Sequence, residues 1–235
     1  MQQQYKQLIA QFWHQGYLVL ENFFEDELMQ TMHQEILAHF GQAPEFQHSE
    51  EFLKKSATEV IPWFPQREGN PLFDSIEKHA GFCQLTSAIL GPWQSQYSMV
   101  MFSKMGTKGQ AWHQDCPPEQ STQFNLNRLV YTMDINEDTG GQVVIRPKTH
   151  MNGALSAGPV NEDFEDQLVL SPKRGTLILL HGHCWHRITP IEGPYRVSTN
   201  YRCAPEGVPD DITDICVYRN MRFQFSTNLV LEERA

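Results

Sequence analysis

The sequence predicts a mainly β protein, in which a jelly-roll core of short strands follows a layer of N-terminal helices. Apolar residues recur at helical spacing in several segments before residue 92, and short segments rich in Val, Ile, Tyr and Phe follow from residue 93 onward. No helical pattern separates those later segments, which favours two packed sheets with an open mouth. We therefore expect one domain, with a helical layer and a loop insertion over 1–92 and a jelly-roll core over 93–235.

Two helices and a short strand open the chain. A helix is predicted over Gln4–Gln15, because its apolar residues share one helical face and Gly16 follows its end. Tyr17–Leu20 is predicted as a strand. A second helix is predicted over Glu25–Phe40, whose apolar stripe is typical of a surface that faces a core.

The next segment, residues 41–71, is polar and contains several prolines, so it is predicted to be a loop insertion. A loop of this length is often a lid in an enzyme. Its aromatic pair Trp63-Phe64 has two interpretations, as a cover over a substrate or as a small satellite core. Pro71–Gly91 is predicted as a third helix that ends at Gly91-Pro92.

The remaining segments are predicted as strands, because they alternate or are rich in β-branched and aromatic residues and are separated by turn-forming residues. They are Gln96–Lys104, Asn127–Ile135, Gln142–Ile145, Gly175–His181, Cys184–Ile188 and Tyr195–Cys203.

The composition is that of a globular protein without a basic surface. Hydrophobic residues make up 40% of the chain, and the formal net charge is −10. A negative chain offers no field for nucleic acid and no broad attraction to an anionic membrane, so neither is expected as a partner. A local basic pocket for an anionic substrate remains compatible with this charge.

The cysteines and the N-terminus favour a cytoplasmic protein. The five cysteines are an odd number with no CxxC pair, which indicates reduced thiols rather than a disulfide framework. The first residues lack the basic-then-apolar profile of a secretion signal.

The segment His113-Gln114-Asp115 is a candidate metal site. On an extended strand, residues two apart project from the same face, so His113 and Asp115 can bind one ion. A third ligand from a distant strand would complete the two-histidine, one-carboxylate set of non-haem Fe(II) enzymes. An isolated pair of this kind also occurs in surface turns, so the downstream residues decide its interpretation.

Three histidines and one arginine follow at the expected distance. His181, His183 and His186 each qualify as the third ligand. Arg196 follows the last of them by ten residues, where a cation can hold the far end of a dicarboxylate.

Several blocks occur in a characteristic order along the chain. They are Gly16–Leu20 with the acidic helix start Glu25–Leu28, Trp112–Asp115, Gly140–His150, Gly175–Gly182 with His186-Arg187, and Arg196-Val197-Ser198. Together they resemble the phytanoyl-CoA dioxygenase family of Fe(II)- and 2-oxoglutarate-dependent oxygenases. Two departures, Lys148-Thr149 in place of Gly-Ser and Ile191 in place of Asn, indicate an altered loop around the site.

The resemblance implies the rest of the site. It implies a double-stranded β-helix, a jelly-roll core of the cupin-like type, and it selects His186 over His181 and His183. His113, Asp115 and His186 would then bind Fe(II), while Arg196, with help from Ser198, would bind the distal carboxylate of 2-oxoglutarate. With O2, such an enzyme hydroxylates a C–H bond of a small-molecule substrate and releases succinate and CO2.

The reaction type and the substrate side are less constrained. A related halogenase carries a small residue in place of the carboxylate ligand, so Asp115 favours hydroxylation, while desaturation and ring formation stay open. Met99, Met101 and Ser103 alternate on one strand and are substrate-side candidates, and so are Arg128 and Tyr131, whose direction depends on strand register.

A second function class stays open beside the oxygenase. The same barrel can serve a non-oxidative metal-binding protein, such as a ligand sensor, an isomerase or a hydrolase. Arg196 discriminates between the two, because a simple metal site does not need a dicarboxylate clamp. The sequence predicts no particular substrate and no oligomeric state.

Overall fold

Two antiparallel sheets form the centre of the molecule in the computed structural model, which describes residues 2–41, 60–219, 222–225 and 230–234. The helices are α1 (Gln2–Gln15), α2 (Asp26–Phe40), α3 (Pro71–Glu77) and α4 (Ala80–Leu90). The strands are β1 (Tyr17–Leu20), β2 (Ile61–Trp63), β3 (Trp93–Lys104), β4 (Gln110–Gln114), β5 (Leu126–Val130), β6 (Val143–Ile145), β7 (Leu168–Leu170), β8 (Leu177–His181), β9 (His186–Ile188), β10 (Tyr195–Pro205), β11 (Ile215–Tyr218), β12 (Arg222–Phe225) and β13 (Val230–Arg234).

The strand order explains how distant segments meet. One sheet has the order β1-β8-β5-β10-β3-β2 and the other has the order β13-β12-β11-β4-β9-β6-β7. Strands close in the chain, such as β4 and β5, thus lie in opposite sheets. This arrangement confirms the predicted mainly β, jelly-roll fold class.

Each face of the six-stranded sheet buries a different cluster. Its inner face places Leu129 and Ile178 against Val143 and Ile188 of the other sheet. Its outer face packs on the helices, with Phe12, Met32 and Phe82 among the buried residues. Because side chains alternate along a strand, each strand of this sheet contributes to both clusters.

The alternation along β5 decides which way the side chains of Arg128 and Tyr131 point, which the sequence left open. Arg128 points outward, where its guanidinium forms a bidentate pair with Glu77 of α3 at 2.7 and 2.9 Å. Its outward direction removes Arg128 from the substrate-side candidates. Tyr131 points inward and packs in the cluster between the sheets.

The predicted helix over Pro71–Gly91 was wrong as a single element, because α3 and α4 are separate. His79 is the N-cap of α4, and its Nδ1 accepts a hydrogen bond from the amide of Phe82 at 3.2 Å. Histidine is not among the strongly preferred capping residues, so the apolar pattern alone ran through the break.

Several strands have bounds that differ from the predicted ones, and five strands were not predicted. The strand expected over Asn127–Ile135 ends at Val130, since the next residues connect to the other sheet. Strands β2, β7, β11, β12 and β13 are additions to the predicted set. Strands β11 to β13 extend the seven-stranded sheet on the side of β4.

The predicted loop insertion falls partly outside the described residues, because 42–59 are not among them. Trp63 belongs to the core: it is 5% exposed and its ring contacts Phe73 with centroids 5.1 Å apart. Of the two interpretations of Trp63, the structure supports packing. No helix within the described part of the chain is long and apolar enough to cross a membrane.

Candidate metal centre

Two neighbouring strands of the seven-stranded sheet bring the predicted metal ligands together. In the antiparallel pair of β4 and β9, His113 lies directly opposite His186, and their ring centroids are 4.1 Å apart. Asp115 follows the end of β4 on the same face as His113. The potential ligand atoms of these residues all lie within 4.8 Å of one another.

The backbone fixes which nitrogen of each imidazole faces the site. Nδ1 of His113 donates to the carbonyl of Ala111 at 2.8 Å, and Nδ1 of His186 donates to the carbonyl of Cys184 at 2.9 Å. Each Nε2 therefore carries the free lone pair, which is the state that binds a metal. Nε2 lies 3.7 Å from Oδ1 of Asp115 for His113, and 3.2 Å from Oδ2 for His186.

The protonation states also suit a cation. Burial and the neighbouring imidazole of His186 lower the pKa of His113 to about 3, so its ring is neutral. Burial opposes ionisation of Asp115, but Arg202 and the imidazoles outweigh it and hold the pKa of that carboxyl below its ordinary value. Two neutral imidazoles and one carboxylate are a donor set that fits Fe(II).

Asp115 is held from both sides. Arg202 Nη2 lies 3.0 Å from Oδ1, and Asn127 Nδ2 donates to Oδ2 at 2.7 Å. The backbone amide of Asp115 donates to the carbonyl of Gly182 at 2.8 Å. A Cβ at position 182 would clash with Oδ1 of Asn125, so only glycine lets this turn approach Asn125 so closely.

Asn127 is the centre of the network around Asp115. Its Oδ1 accepts from Asn200 Nδ2 at 2.7 Å and from Arg202 Nε at 2.9 Å, while its amide donates to Asp115. All four side chains are buried. Such partners orient a ligating carboxylate and raise the affinity of a site for its metal.

Strand β11 supplies two further neighbours. The ring of Tyr218 stacks on His113 with centroids 4.6 Å apart. The thiol of Cys216 lies 3.9 Å from Oδ1 of Asp115, and burial raises its pKa, so it remains protonated. Cys116, the residue after Asp115, is also buried, and burial raises the pKa of its thiol to about 12.

Arg196 lies in the six-stranded sheet and is 3% exposed. Its Nε donates to the carbonyl of Gly141 at 3.0 Å, and its Nη1 donates to the hydroxyl of Ser198 at 2.8 Å. Gly141 has φ +68, and a Cβ there would lie 2.7 Å from Cγ and Cδ of Arg196. Glycine at this position thus leaves room for the aliphatic stem of the arginine.

One face of β10 carries the polar residues of the interior. Arg196, Ser198, Asn200 and Arg202 alternate with residues of the opposite face, as expected for a strand. In register with them on β3 lie Ser103, Met101, Met99 and Tyr97. The three substrate-side candidates of β3 therefore share a face with the two arginines.

The structure separates His181 and His183 from the cluster of His113, Asp115 and His186. His181 stacks on Phe124 with centroids 4.2 Å apart, and its Nδ1 accepts from the amide of His183 at 3.1 Å. His183 Nε2 donates to the carbonyl of Pro117 at 3.1 Å. Both imidazoles thus pack at the strand end.

The altered loop predicted from the departures contains a strained residue. Lys148 has φ 68, a left-handed conformation that glycine adopts more readily. The hydroxyl of Thr149 accepts from the amide of Trp185 at 2.9 Å, one residue before His186. The threonine therefore supports the start of β9.

Five residues around the site were not predicted from the sequence: Asn127, Asn200, Arg202, Tyr97 and Cys216. One signal was present in the chain, because every second residue from Arg196 to Arg202 is polar within a segment predicted as a strand. The contribution of Asn127 and Cys216 depends on pairing between distant segments, which the sequence does not display.

Comparison with known proteins finds solved structures with a similar fold. No curated protein matches. The non-heme alpha ketoglutarate dependent epimerase SnoN from nogalamycin biosynthesis is 14% identical with a TM-score of 0.68, and the match covers 93% of this chain and 87% of that one. The carbocyclase SnoK, from the same biosynthesis and also alpha ketoglutarate dependent, is 13% identical with a TM-score of 0.66, covering 92% and 86%.

A third similar structure is HygX from Streptomyces hygroscopicus with nickel and 2-oxoglutarate bound. It is 13% identical with a TM-score of 0.67, and the match covers 86% of this chain and 87% of that one. At these identities, the three structures establish a shared fold.

The family follows from a direct match to the sequence. The sequence model of the phytanoyl-CoA dioxygenase family matches residues 12–192, which include all three residues of the metal-site cluster. Proteins of this family use Fe(II) and 2-oxoglutarate together with O2. The chain therefore belongs to the phytanoyl-CoA dioxygenase family of Fe(II)- and 2-oxoglutarate-dependent enzymes.

Proposed function

We propose that this protein is an Fe(II)- and 2-oxoglutarate-dependent dioxygenase that hydroxylates a C–H bond of a small molecule. His113, Asp115 and His186 would hold the iron. The observation that carries this proposal is that they converge from two paired strands, with the unprotonated Nε2 of each imidazole facing Asp115. When bound, iron with 2-oxoglutarate and O2 supplies the oxidant for C–H cleavage, and succinate and CO2 are released.

Arg196 and Ser198 would bind the distal carboxylate of 2-oxoglutarate. The guanidinium of Arg196 is buried and forms no ion pair with a carboxylate among the described residues. A buried arginine without a counterion is costly, so this site calls for an anion. Ser198 holds the guanidinium through Nη1, and the carbonyl of Gly141 holds it through Nε.

The buried carboxylate site formed by Arg196 and Ser198 supports the oxygenase over the non-oxidative alternative. A ligand sensor, isomerase or hydrolase that uses the metal alone has no need for a second cation buried between the sheets. The dicarboxylate also orders the open side of the metal site, and the packed interior excludes water.

The carboxylate at position 115 supports hydroxylation over halogenation, since a halide needs the ligand position that Asp115 fills. The similar structures include an epimerase and a carbocyclase, so this fold also serves reactions other than hydroxylation. We propose hydroxylation, for which the chain's own residues need supply only binding and orientation.

An anaerobic optical titration tests the metal and co-substrate sites. A visible charge-transfer band is expected only when both Fe(II) and 2-oxoglutarate are present. His186→Gln should abolish the band, whereas His183→Gln, the matched control at the neighbouring buried histidine, should retain it. Iron binding without a band in the wild-type protein would favour the non-oxidative alternative.

A substrate screen with mass spectrometry tests the reaction type. Hydroxylation adds one oxygen atom to the product, whereas desaturation and ring closure remove two hydrogen atoms and epimerisation leaves the mass unchanged. Succinate release coupled to a product of unchanged mass would overturn hydroxylation and keep the oxygenase assignment.

A further inference from the structure

The buried charges between the two sheets do not balance. Apart from histidines, the buried charged side chains among the described residues are Asp115, Arg128, Arg187, Arg196, Arg202 and Arg219. Three of the arginines pair with carboxylates nearer the surface: Arg128 with Glu77, Arg187 with Asp163 and Arg219 with Glu162. The interior is left with two arginines and a single carboxylate, Asp115.

The proposed metal and co-substrate do not remove this excess. Fe(II) brings two positive charges and 2-oxoglutarate brings two negative charges, so together they leave the balance unchanged. Among the buried side chains of the described residues, one positive charge therefore remains uncompensated, and an unpaired ion in the interior is strongly disfavoured. A ligand with one negative charge would restore neutrality.

Beside Asp115, Arg202 has one buried N–H donor without a hydrogen-bond partner among the described residues. Its Nη2 pairs with Asp115 and its Nε donates to Asn127, but its buried Nη1 has no hydrogen-bond partner within the described part of the chain. The residue is only 4% exposed. A charged N–H left unpaired in the interior indicates a missing acceptor.

Tyr97 provides a second open donor beside the first. It lies opposite Arg202 in the pairing of β3 with β10, and the guanidinium carbon is 5.4 Å from the centre of its ring. The hydroxyl of Tyr97 is buried and likewise has no partner among the described residues. Burial raises the pKa of Tyr97, so the phenol is neutral and can donate.

We propose that Arg202 and Tyr97 form a second anion site, which binds one carboxylate of the substrate next to Asp115. The substrate would then be a small carboxylic acid, held by Arg202 Nη1 and the Tyr97 hydroxyl. This inference rests on the proposed function and names the substrate class of the same site. Two neighbouring donors without partners, one of them charged, can bind a carboxylate together.

The co-substrate also carries a carboxylate near the metal, so the ligand chemistry has two sources. The charge count favours the substrate, because 2-oxoglutarate is already matched by the iron. The two sources predict different effects of the same substitution, since a site for the substrate leaves the affinity for 2-oxoglutarate unchanged.

Calorimetric titration of the protein with acetate tests the site. Zn(II) replaces Fe(II) so that no turnover occurs, 2-oxoglutarate is saturating, and acetamide serves as the uncharged probe of the same shape. We expect acetate to bind and acetamide not to bind. Tyr97→Phe should weaken acetate binding about tenfold, the loss expected for one hydrogen bond to a charged group, and should not change the affinity for 2-oxoglutarate.

Tyr131→Phe is the matched control, because Tyr131 is another buried tyrosine whose hydroxyl has no partner among the described residues. It lies near Arg196 rather than Arg202, with its ring centre 6.0 Å from that guanidinium. Tyr131→Phe should weaken the binding of 2-oxoglutarate and leave the binding of acetate unchanged. Arg202→Gln should abolish acetate binding, and the conservative Tyr97→Phe keeps the test valid where Arg202→Gln fails to fold.

The outcomes separate the two proposals. Equal acetate binding by wild-type protein and Tyr97→Phe, or no acetate binding at all, overturns the second anion site. Weaker 2-oxoglutarate binding by Tyr97→Phe assigns the site to the co-substrate and also overturns it. If the wild-type protein binds no 2-oxoglutarate, the proposed function fails, while the same comparison with acetate alone still decides whether Tyr97 and Arg202 bind a carboxylate.

Discussion

Replacing Asn127 by Ala should destabilise the metal-free protein far more than its burial alone suggests. Its side chain forms two hydrogen bonds with charged partners, Asp115 and Arg202, and one with the neutral Asn200. At about 1.5–3 kcal/mol for each charged bond and about 1 kcal/mol for the neutral one, the sum is about 4–7 kcal/mol. Water entering the space and non-additivity reduce the expected loss to about 3–5 kcal/mol.

Asn125→Ala is the matched control for that change. Asn125 is the same residue type two positions earlier and is equally buried, but its amide donates only to the backbone carbonyl of Asp115, at 3.0 Å. Its loss should cost about 1 kcal/mol. Urea unfolding followed by circular dichroism measures both free energies of unfolding, and equal losses for the two variants would refute the network argument.

The same two variants should differ in metal affinity. Without Asn127, the carboxylate of Asp115 loses one of the partners that orient it, which should weaken Zn(II) or Co(II) binding about tenfold or more. Asn125→Ala should bind the metal nearly as the wild-type protein does, because the orientation of the carboxylate is kept.

Three further outcomes are expected. Asp115→Ala should abolish hydroxylation, and unchanged turnover would exclude Asp115 as a ligand. Arg196→Leu should raise the concentration of 2-oxoglutarate needed for half-maximal rate by more than tenfold with little change for iron, whereas equal sensitivity to both would contradict its role as a carboxylate clamp. Burial lowers the pKa of His181 well below its unfolded value near 6.5. As pH decreases below about 6.5, the unfolded chain therefore binds the proton before the folded protein does, and the free energy of unfolding falls. In urea titrations from pH 7 to 5, His181→Gln should make that fall shallower by up to about 1.4 kcal/mol per pH unit. His14→Gln, at an exposed position, is the control substitution. Identical pH profiles for the wild-type protein and His181→Gln would contradict this expectation.

The fold class could be predicted because the change from helical spacing to short strands is written in the order of apolar residues. Exact element bounds could not, since they depend on local contacts such as the capping of α4 by His79. Strand β12 alternates but is only four residues long, and three of the five residues of β13 are charged, so neither strand was identified from its pattern.

The candidate site, like the fold, could be predicted only in part. His113, Asp115, His186 and Arg196 were identified from spacing and resemblance, and the structure brings the first three into one cluster. The polar network behind them could not be derived, because Asn127 and Arg202 meet Asp115 only after two sheets pack face to face. The alternating polar residues of β10 were the sole trace of that network in the sequence.

The placement of both interior arginines on one strand has a consequence for ligand length. Arg196 and Arg202 are six residues apart on β10, roughly 20 Å along a strand that rises about 3.4 Å per residue. Hydrogen bonds to β3 and β5 on either side hold β10 in place, so this separation cannot adjust to the bound molecule. The interior therefore sets a length as well as a charge: any ligand, or any pair of ligands bound end to end, that reaches both arginines has to match this fixed spacing.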